Sequence, residues 1–233
     1  MKIAHTISAV TAPWGLSFDD AALSRMESFA DMLVEKNKVM NLTAITEDDK
    51  VARLHFADCL YLLSCADLKE KSIIDIGCGG GFPSLPLLCA NPDLKLTGVD
   101  STAKRIAFVD ESARALGVGG QFIAARAEEY ALKNREKFDF ATARAVVSLN
   151  ILLELSLPML KVGGKLLAMK GMNTEEDEQA TKALQVLGGK IVDIKTYSVG
   201  EDFPERRIVV VEKTRPTPDA YPRRYAKITA KPL

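Results

Sequence analysis

Three glycines at alternate positions, Gly77, Gly79 and Gly81, directly follow an apolar run that carries Asp75, and Asp100 closes the next apolar run about twenty residues on. Glycines bare the backbone, so a ligand can approach main-chain N–H groups. An acid one strand later is placed to accept hydrogen bonds from ribose hydroxyls. The details choose among nucleoside ligands. A dinucleotide fingerprint needs G-x-G-x-x-G, and Phe82 stands where its third glycine belongs. A phosphate loop would run on into Gly-Lys-Ser/Thr, which is absent. S-adenosylmethionine fits better: it has an adenosine and an amino-acid tail, no phosphate, and two cationic groups that favour a carboxylate such as Asp75. Asp100 and Ser101 also suit the ordinary role of capping a helix. A glycine turn with no ligand is the poorer reading, since each glycine costs up to about 1 kcal/mol of chain entropy.

Such a turn needs a strand before it and a helix after it, and the chain from residue 69 supplies the pattern repeatedly. "SIIDIG", "KLTGVD", "QFIAARA", "FDFATARAV" and "GKLLAMKG" are short β-type runs. Helical stretches begin near Pro83, at Ser101, after "FDFATARAV" and at Asn173, with a short connection after "QFIAARA". That alternation predicts an α/β fold with parallel strands and helical crossovers. "KIVDIKTYSV" and "RRIVVVEKT" are joined by a loop too short for a crossover, so they should form an antiparallel pair at the sheet edge.

Residues 1–68 read instead as a helical extension. Leu23, Met26, Phe29, Leu33 and Met40 fall at helical spacings, with Ser17 and Asp20 suited to a capping box. A second helix, from about Asp48 to Ser64, sets Val51, His55, Asp58 and Leu62 on one stripe. The division is then a helical extension, 1–68, and a sheet domain, 69–233, ending in a loosely held basic tail.

The 233 residues carry 31 basic and 31 acidic side chains, so total charge announces no polyanion partner. Its distribution does. Residues 1–70 hold 7 basic and 11 acidic side chains, whereas residues 213–233 hold 6 basic ones against Asp219. Cys59, Cys65, Cys78 and Cys89 show no metal-type spacing and read as reduced thiols. No window has the apolar length of a membrane span, which makes a cytoplasmic protein the expectation.

Eight blocks in order carry a family resemblance: "NLTAIT", "RLHFADCL", "DIGCGGGFPSLPL", "VDSTAKRIAF", "ARAEE", "TARAV", "MKG" and "YPRRYAKITAKPL". The chain resembles the ribosomal RNA small-subunit methyltransferase G family, also called glucose-inhibited division protein B, over nearly all its length. Two positions depart from the family pattern: Cys59 in place of serine and Ser84 in place of glycine. The resemblance implies a class I S-adenosylmethionine-dependent methyltransferase, a Rossmann-like, mostly parallel seven-stranded sheet with an antiparallel C-terminal hairpin. It implies methylation of a guanine N7 in 16S ribosomal RNA, on the 30S subunit or its precursor, by a monomer with no metal. Carried over by motif, the cofactor contacts are Gly77, Phe82, Asp100, Ser101, Ala127, Glu128 and Arg144, with Asp75, Gly79 and Gly81 completing the loop.

Guanine N7 has an in-plane lone pair and no proton, so no catalytic base is nominated; Arg144 is expected to position. Alignment and exclusion of water should dominate. Candidate RNA contacts are His55, Asp58, Lys104, Arg105, Lys170, Arg223, Arg224 and Lys227, with Tyr221 and Tyr225 interleaved for stacking. His55 and Asp58 equally suit a structural pair behind the cofactor loop. Rival readings are a methyltransferase of proteins or small molecules, and a ribosome-assembly factor that keeps the fold without the reaction.

Overall fold

The computed structural model describes residues 3–144 and 146–233. The helical extension holds α1 (Ala4–Thr11), α2 (Asp20–Met40) and a helical run 48–65, α3. α1 is an element the apolar N-terminus did not announce. α2 is capped by Asp19, whose carboxylate accepts from Ala22 N at 2.7 Å, rather than by Ser17. Inside α3 the turn Ala52–Ala57 widens to a π-helix. Such turns redirect side chains, and this one carries His55.

The sheet follows: β1 (Ser72–Ile76), α4 (Ser84–Ala90), β2 (Lys95–Asp100), α5 (Ala103–Leu116), β3 (Gln121–Ala124), α6 (Ala127–Lys133), β4 (Phe138–Arg144), α7 (Leu149–Ser156) and β5 (Leu160–Lys170). Then come α8 (Glu175–Gln179), α9 (Thr181–Leu187), β6 (Gly189–Tyr197), β7 (Arg206–Lys213) and α10 (Tyr225–Ala230). The short connection expected after "QFIAARA" is the helix α6. The strand order is β3-β2-β1-β4-β5-β7-β6, parallel from β3 to β5, with β7 antiparallel between β5 and β6. The antiparallel end is as the short loop required.

β1 shows why both faces must be covered. Ile73 packs with α2, α4 and α5 residues such as Phe29, Leu85 and Phe108, while Ile74 and Ile76 pack on the other face with Leu149 and Leu153 of α7. The first of these clusters also takes in Ile7, Phe56 and Leu60, so the helical extension shares a core with one face of the sheet. The sheet runs from β1 through β2 to β3 on one side and through β4 to β5 on the other. Their divergence opens a crevice beyond the C-terminal ends of β1 and β4, where ligands collect in such sheets.

The last residues are tied down rather than loose. Arg223, just before α10, donates from its backbone N and Nε to Glu154 Oε1, both at 2.8 Å, and from Nη2 to Oε2 at 2.6 Å. Glu154 is fully buried in α7. All four cysteines are free, and burial raises the thiol pKa of each of them; Cys89 is pushed up to about 12. Among the described residues no helix is long and apolar enough to cross a membrane.

Candidate functional site

The glycine turn closes against β4. Gly77 has φ +71°, and a Cβ there would lie 2.8 Å from Val146 Cγ2, so glycine is required both by conformation and by space. Asp100 fastens the turn from β2: Oδ2 accepts from Gly79 N at 3.0 Å and Oδ1 from Thr102 N at 2.8 Å. Each oxygen keeps a second lone pair. Supporting the loop and accepting from ribose hydroxyls are therefore compatible in one carboxylate.

Behind the turn lies a buried polar layer. Asp75 is fully buried, its Oδ2 accepting from Ser84 Oγ, and among the described residues neither Asp75 Oδ1 nor the hydroxyl of Thr142, its register partner on β4, has a hydrogen-bond partner. Burial, eased by Ser84, pushes the Asp75 carboxyl up to about 7. His55 stacks on Phe82 with ring centroids 4.7 Å apart, and Nε2 meets Thr43 Oγ1 at 2.8 Å. Arg144 Nη1 stands 3.3 Å from His55 Nδ1; because a guanidinium only donates, Nδ1 carries the lone pair and Nε2 the proton. Burial and then Arg144 lower the His55 pKa to about 3.

These two groups pull stability in opposite directions with pH. The folded pKa of Asp75 is raised, so its contribution is present at low pH and lost as pH rises toward 7. That of His55 is depressed, so its contribution is lost as pH falls from 6.5 toward 3. Between about pH 4 and 6.5 the slopes cancel in part. Asp75→Asn is expected to expose a stability that rises with pH in this window, and His55→Gln one that falls; urea unfolding at several pH values checks both.

Three cavities meet at this place. One of about 330 Å³ is lined by Thr43, His55, Gly77, Phe82, Arg105 and Arg144 among others. A second, about 130 Å³, lies between Asp100, Ser101, Ala127, Glu128, Leu155 and Tyr225. The third, about 290 Å³, opens between the ends of β4 and β5 and is walled by Asp58, Arg144, Lys170, Glu176, Tyr197 and Arg206. Val146 borders all three, and Gly77 and Asp100 border the first two. The arrangement suits a bent ligand with a nucleoside at one end, beside a separate chamber for a second molecule.

Most of the sequence candidates converge here, with corrections. Asp75 and Gly81 stand behind the loop rather than on its open face: Asp75 is turned onto Ser84, and a Cβ on Gly81 would meet Leu85 and Phe29. Phe82 is mostly buried against Phe29, Phe56 and His55, and only its edge reaches the first cavity. Asp58 is buried, accepting from Tyr197 Oη at 2.8 Å with Arg206 Nε at 3.4 Å and Arg144 Nη1 at 3.6 Å, which makes it a support and not a surface contact for RNA. His55 is likewise a support. Lys170 is held in the chamber wall by Val147 O and Glu176, with one N–H of its ammonium beyond these two bonds. Arg223 is taken by Glu154, so it is withdrawn from phosphate pairing. Lys104, Arg105, Arg224 and Lys227 remain exposed.

Tyr225 lines the second cavity under the guanidinium of Arg126, whose Cζ is 4.2 Å from the ring centre, while Arg126 Nε reaches Glu128 Oε1 at 3.2 Å. Arg223→Ala leaves the Glu154 carboxylate buried and uncompensated, a loss of roughly 3 kcal/mol. Thermal unfolding should fall by about 10 °C for a chain of this size. An unchanged midpoint would show that Arg223 is not the anchor of α10.

Sequence reading missed Glu154, Glu176, Tyr197 and Arg206. Glu154 had a signal, a single acid in the apolar run "LNILLELS". Glu176 sits in "EEDE", which reads as a solvated helix start, and Arg206 has a neighbour of the same type.

Solved structures share the fold at low identity. PH0226 from Pyrococcus horikoshii superposes with TM-score 0.55 at 17% identity, over 77% of this chain and 98% of that one. A SAM-dependent methyltransferase from Methanosarcina mazei gives 0.53 at 16%, over 65% and 96%. M. jannaschii TYW2, solved in complex with AdoMet, gives 0.52 at 12%, over 85% and 78%. Sequence relatives are far nearer. Ribosomal RNA small subunit methyltransferase G of Acetivibrio thermocellus is 39% identical, covering 100% of this chain and 98% of its own length. Its namesake in Ligilactobacillus salivarius is 43% identical over 94% of each. The model of the family described as rRNA small subunit methyltransferase G matches residues 22–209, and the chain belongs to that family.

Proposed function

We propose that this chain transfers a methyl group from S-adenosylmethionine to N7 of one guanine in 16S ribosomal RNA, acting in the cytoplasm as a monomer on the small subunit or its precursor. The observation that carries the reading is the junction at Val146 and Arg144, where the pocket beside Asp100 and Glu128, the glycine turn and a separate charged chamber meet. The cofactor, when bound, supplies an electrophilic methyl on a sulfonium. Asp100 and Ser101 would hold its ribose, Ala127, Glu128 and Tyr225 its adenine, and Gly77, Gly79 and Phe82 its amino-acid arm. The fit rests on the free lone pairs of Asp100 and on Gly77, where a side chain would fill the cradle.

Guanine N7 carries no proton to remove, so the reaction needs no base, and Asp58 in the third cavity is engaged by Tyr197, Arg206 and Arg144. What the chain supplies is alignment. Arg144 closes the wall between the first and third cavities and holds Phe82 with its guanidinium 4.8 Å from the ring centre. The exposed Lys104, Arg105, Arg224 and Lys227 are the phosphate contacts of this reading. N7 lies in the deep groove of A-form RNA, so the base must come from a loop, a distorted helix or a turned-out nucleotide.

Incubation with methyl-labelled cofactor and separated cell fractions tests the proposal. Label should enter 16S RNA as 7-methylguanosine; label in protein or in small metabolites would contradict it.

A further inference from the structure

Nothing at N7 distinguishes guanine from adenine, because both purines carry the same lone pair there. The selection of one base must come from groups that meet its other edge. In the chamber between β4 and β5, one pair has that chemistry to spare. Lys170 Nζ donates to Val147 O at 2.6 Å and to Glu176 Oε2 at 2.8 Å, which leaves one of its three N–H bonds. Glu176 Oε2 accepts also from Leu149 N at 3.1 Å. Both of these bonds fall on Oε2; among the described residues Oε1 has no hydrogen-bond donor, and the side chain is a quarter exposed. The other carboxylate of the chamber, Asp58, has no such freedom.

We propose that Lys170 and Glu176 read the acceptor base, Lys170 donating to its O6 and Glu176 accepting from its N1–H. This rests on the guanine-N7 reading above. Guanine offers C6=O beside N1–H, an acceptor next to a donor, which matches an ammonium next to a carboxylate. Adenine offers N6–H₂ beside an N1 lone pair, the reverse order, so each contact would set donor against donor or acceptor against acceptor. The lone pair of N7 forms the new N–CH₃ bond while sulfur keeps the electron pair of the bond that breaks, so one positive charge passes to the purine. That charge makes N1–H a stronger donor. The Glu176 contact therefore tightens as transfer proceeds, which is the kind of interaction that raises kcat rather than affinity.

The experiment uses 16S RNA, ligated so that the mapped acceptor guanosine is replaced by inosine or adenosine, reconstituted into 30S particles. Inosine keeps O6 and N1–H, so it should be methylated within about tenfold of guanosine; adenosine should react at least about 10⁴-fold more slowly, as expected where a site is built to meet a substrate N–H. Glu176→Gln should lower kcat about 10²-fold with cofactor affinity by calorimetry and the unfolding midpoint unchanged. It should also narrow the guanosine-to-adenosine ratio, because a rotated amide can donate to adenine N1. A variant with the wild-type ratio, or a wild-type protein that methylates adenosine as readily as inosine, would overturn the assignment. If the wild-type protein binds cofactor but leaves guanosine RNA unlabelled, the methylation reading falls and the base assignment falls with it.

Discussion

Replacing Arg144 by alanine lowers methyl transfer to ribosomal RNA by about 10³-fold, roughly 4 kcal/mol of transition-state alignment, and lysine at this position recovers little of it. The reason is that one guanidinium makes four kinds of contact that an ammonium cannot make together. Nη1 donates to Leu54 O at 3.1 Å and approaches His55 Nδ1, the charge neutralises Asp58, and the plane lies over Phe82. A lysine ammonium is a point charge with no face to stack. Loss of Arg144 should slow transfer more than it weakens cofactor binding, since Asp100 and the glycine turn stay in place. It should also let the pKa of His55 rise from its depressed value, because Arg144 is one of the causes holding it down. Single-turnover kinetics measure the first effect and NMR titration of the histidine the second. An Arg144→Lys variant with wild-type kcat would show that charge alone is required there.

Asp100→Ala is the second large effect, and it falls on the cofactor. A carboxylate that accepts from two ribose hydroxyls contributes about 1.5–3 kcal/mol for each charge-assisted bond. A loss near 4 kcal/mol, about 10³-fold in affinity, is expected by calorimetry. Part of that comes from the loop itself, because Gly79 N and Thr102 N lose their acceptor. Asp100→Asn separates the contributions: its amide oxygen can still accept from one of these N–H groups, while the charge is gone. Unchanged affinity in the alanine variant would remove the ribose role, and Asp100 would then be only a fastening for the turn.

The frame of the site was legible where spacing alone forces a structure. Glycines at 77, 79 and 81 after "SIID" demand a strand-to-helix turn, and an acid at the end of the next apolar run must lie beside it when the strands are parallel neighbours. The loop before Arg206 was too short for a crossover, which dictated the antiparallel end. What could not be read is which face of an element a polar side chain takes. Arg206 and Arg207 are neighbours on β7, yet strand alternation turns the first into the chamber and buries the second against Asp177. For His55 and Asp58 the sequence left RNA contact and structural pair open; the π-turn in α3 and the surrounding arginines hold them inside, as supports. The basic tail was legible only in part, because charge count ignores partners. Its Arg223 is spent on Glu154, some 69 residues earlier in the chain, while Arg224 and Lys227 stay exposed and Tyr225 lines the second cavity beside Asp100 and Glu128.

The most direct test of the whole account is the map of 7-methylguanosine in 16S ribosomal RNA from cells with and without this protein. The account predicts that one such nucleotide disappears in its absence, returns when the wild-type chain is restored and stays missing with Asp100→Ala. An identical map with and without the protein would contradict it.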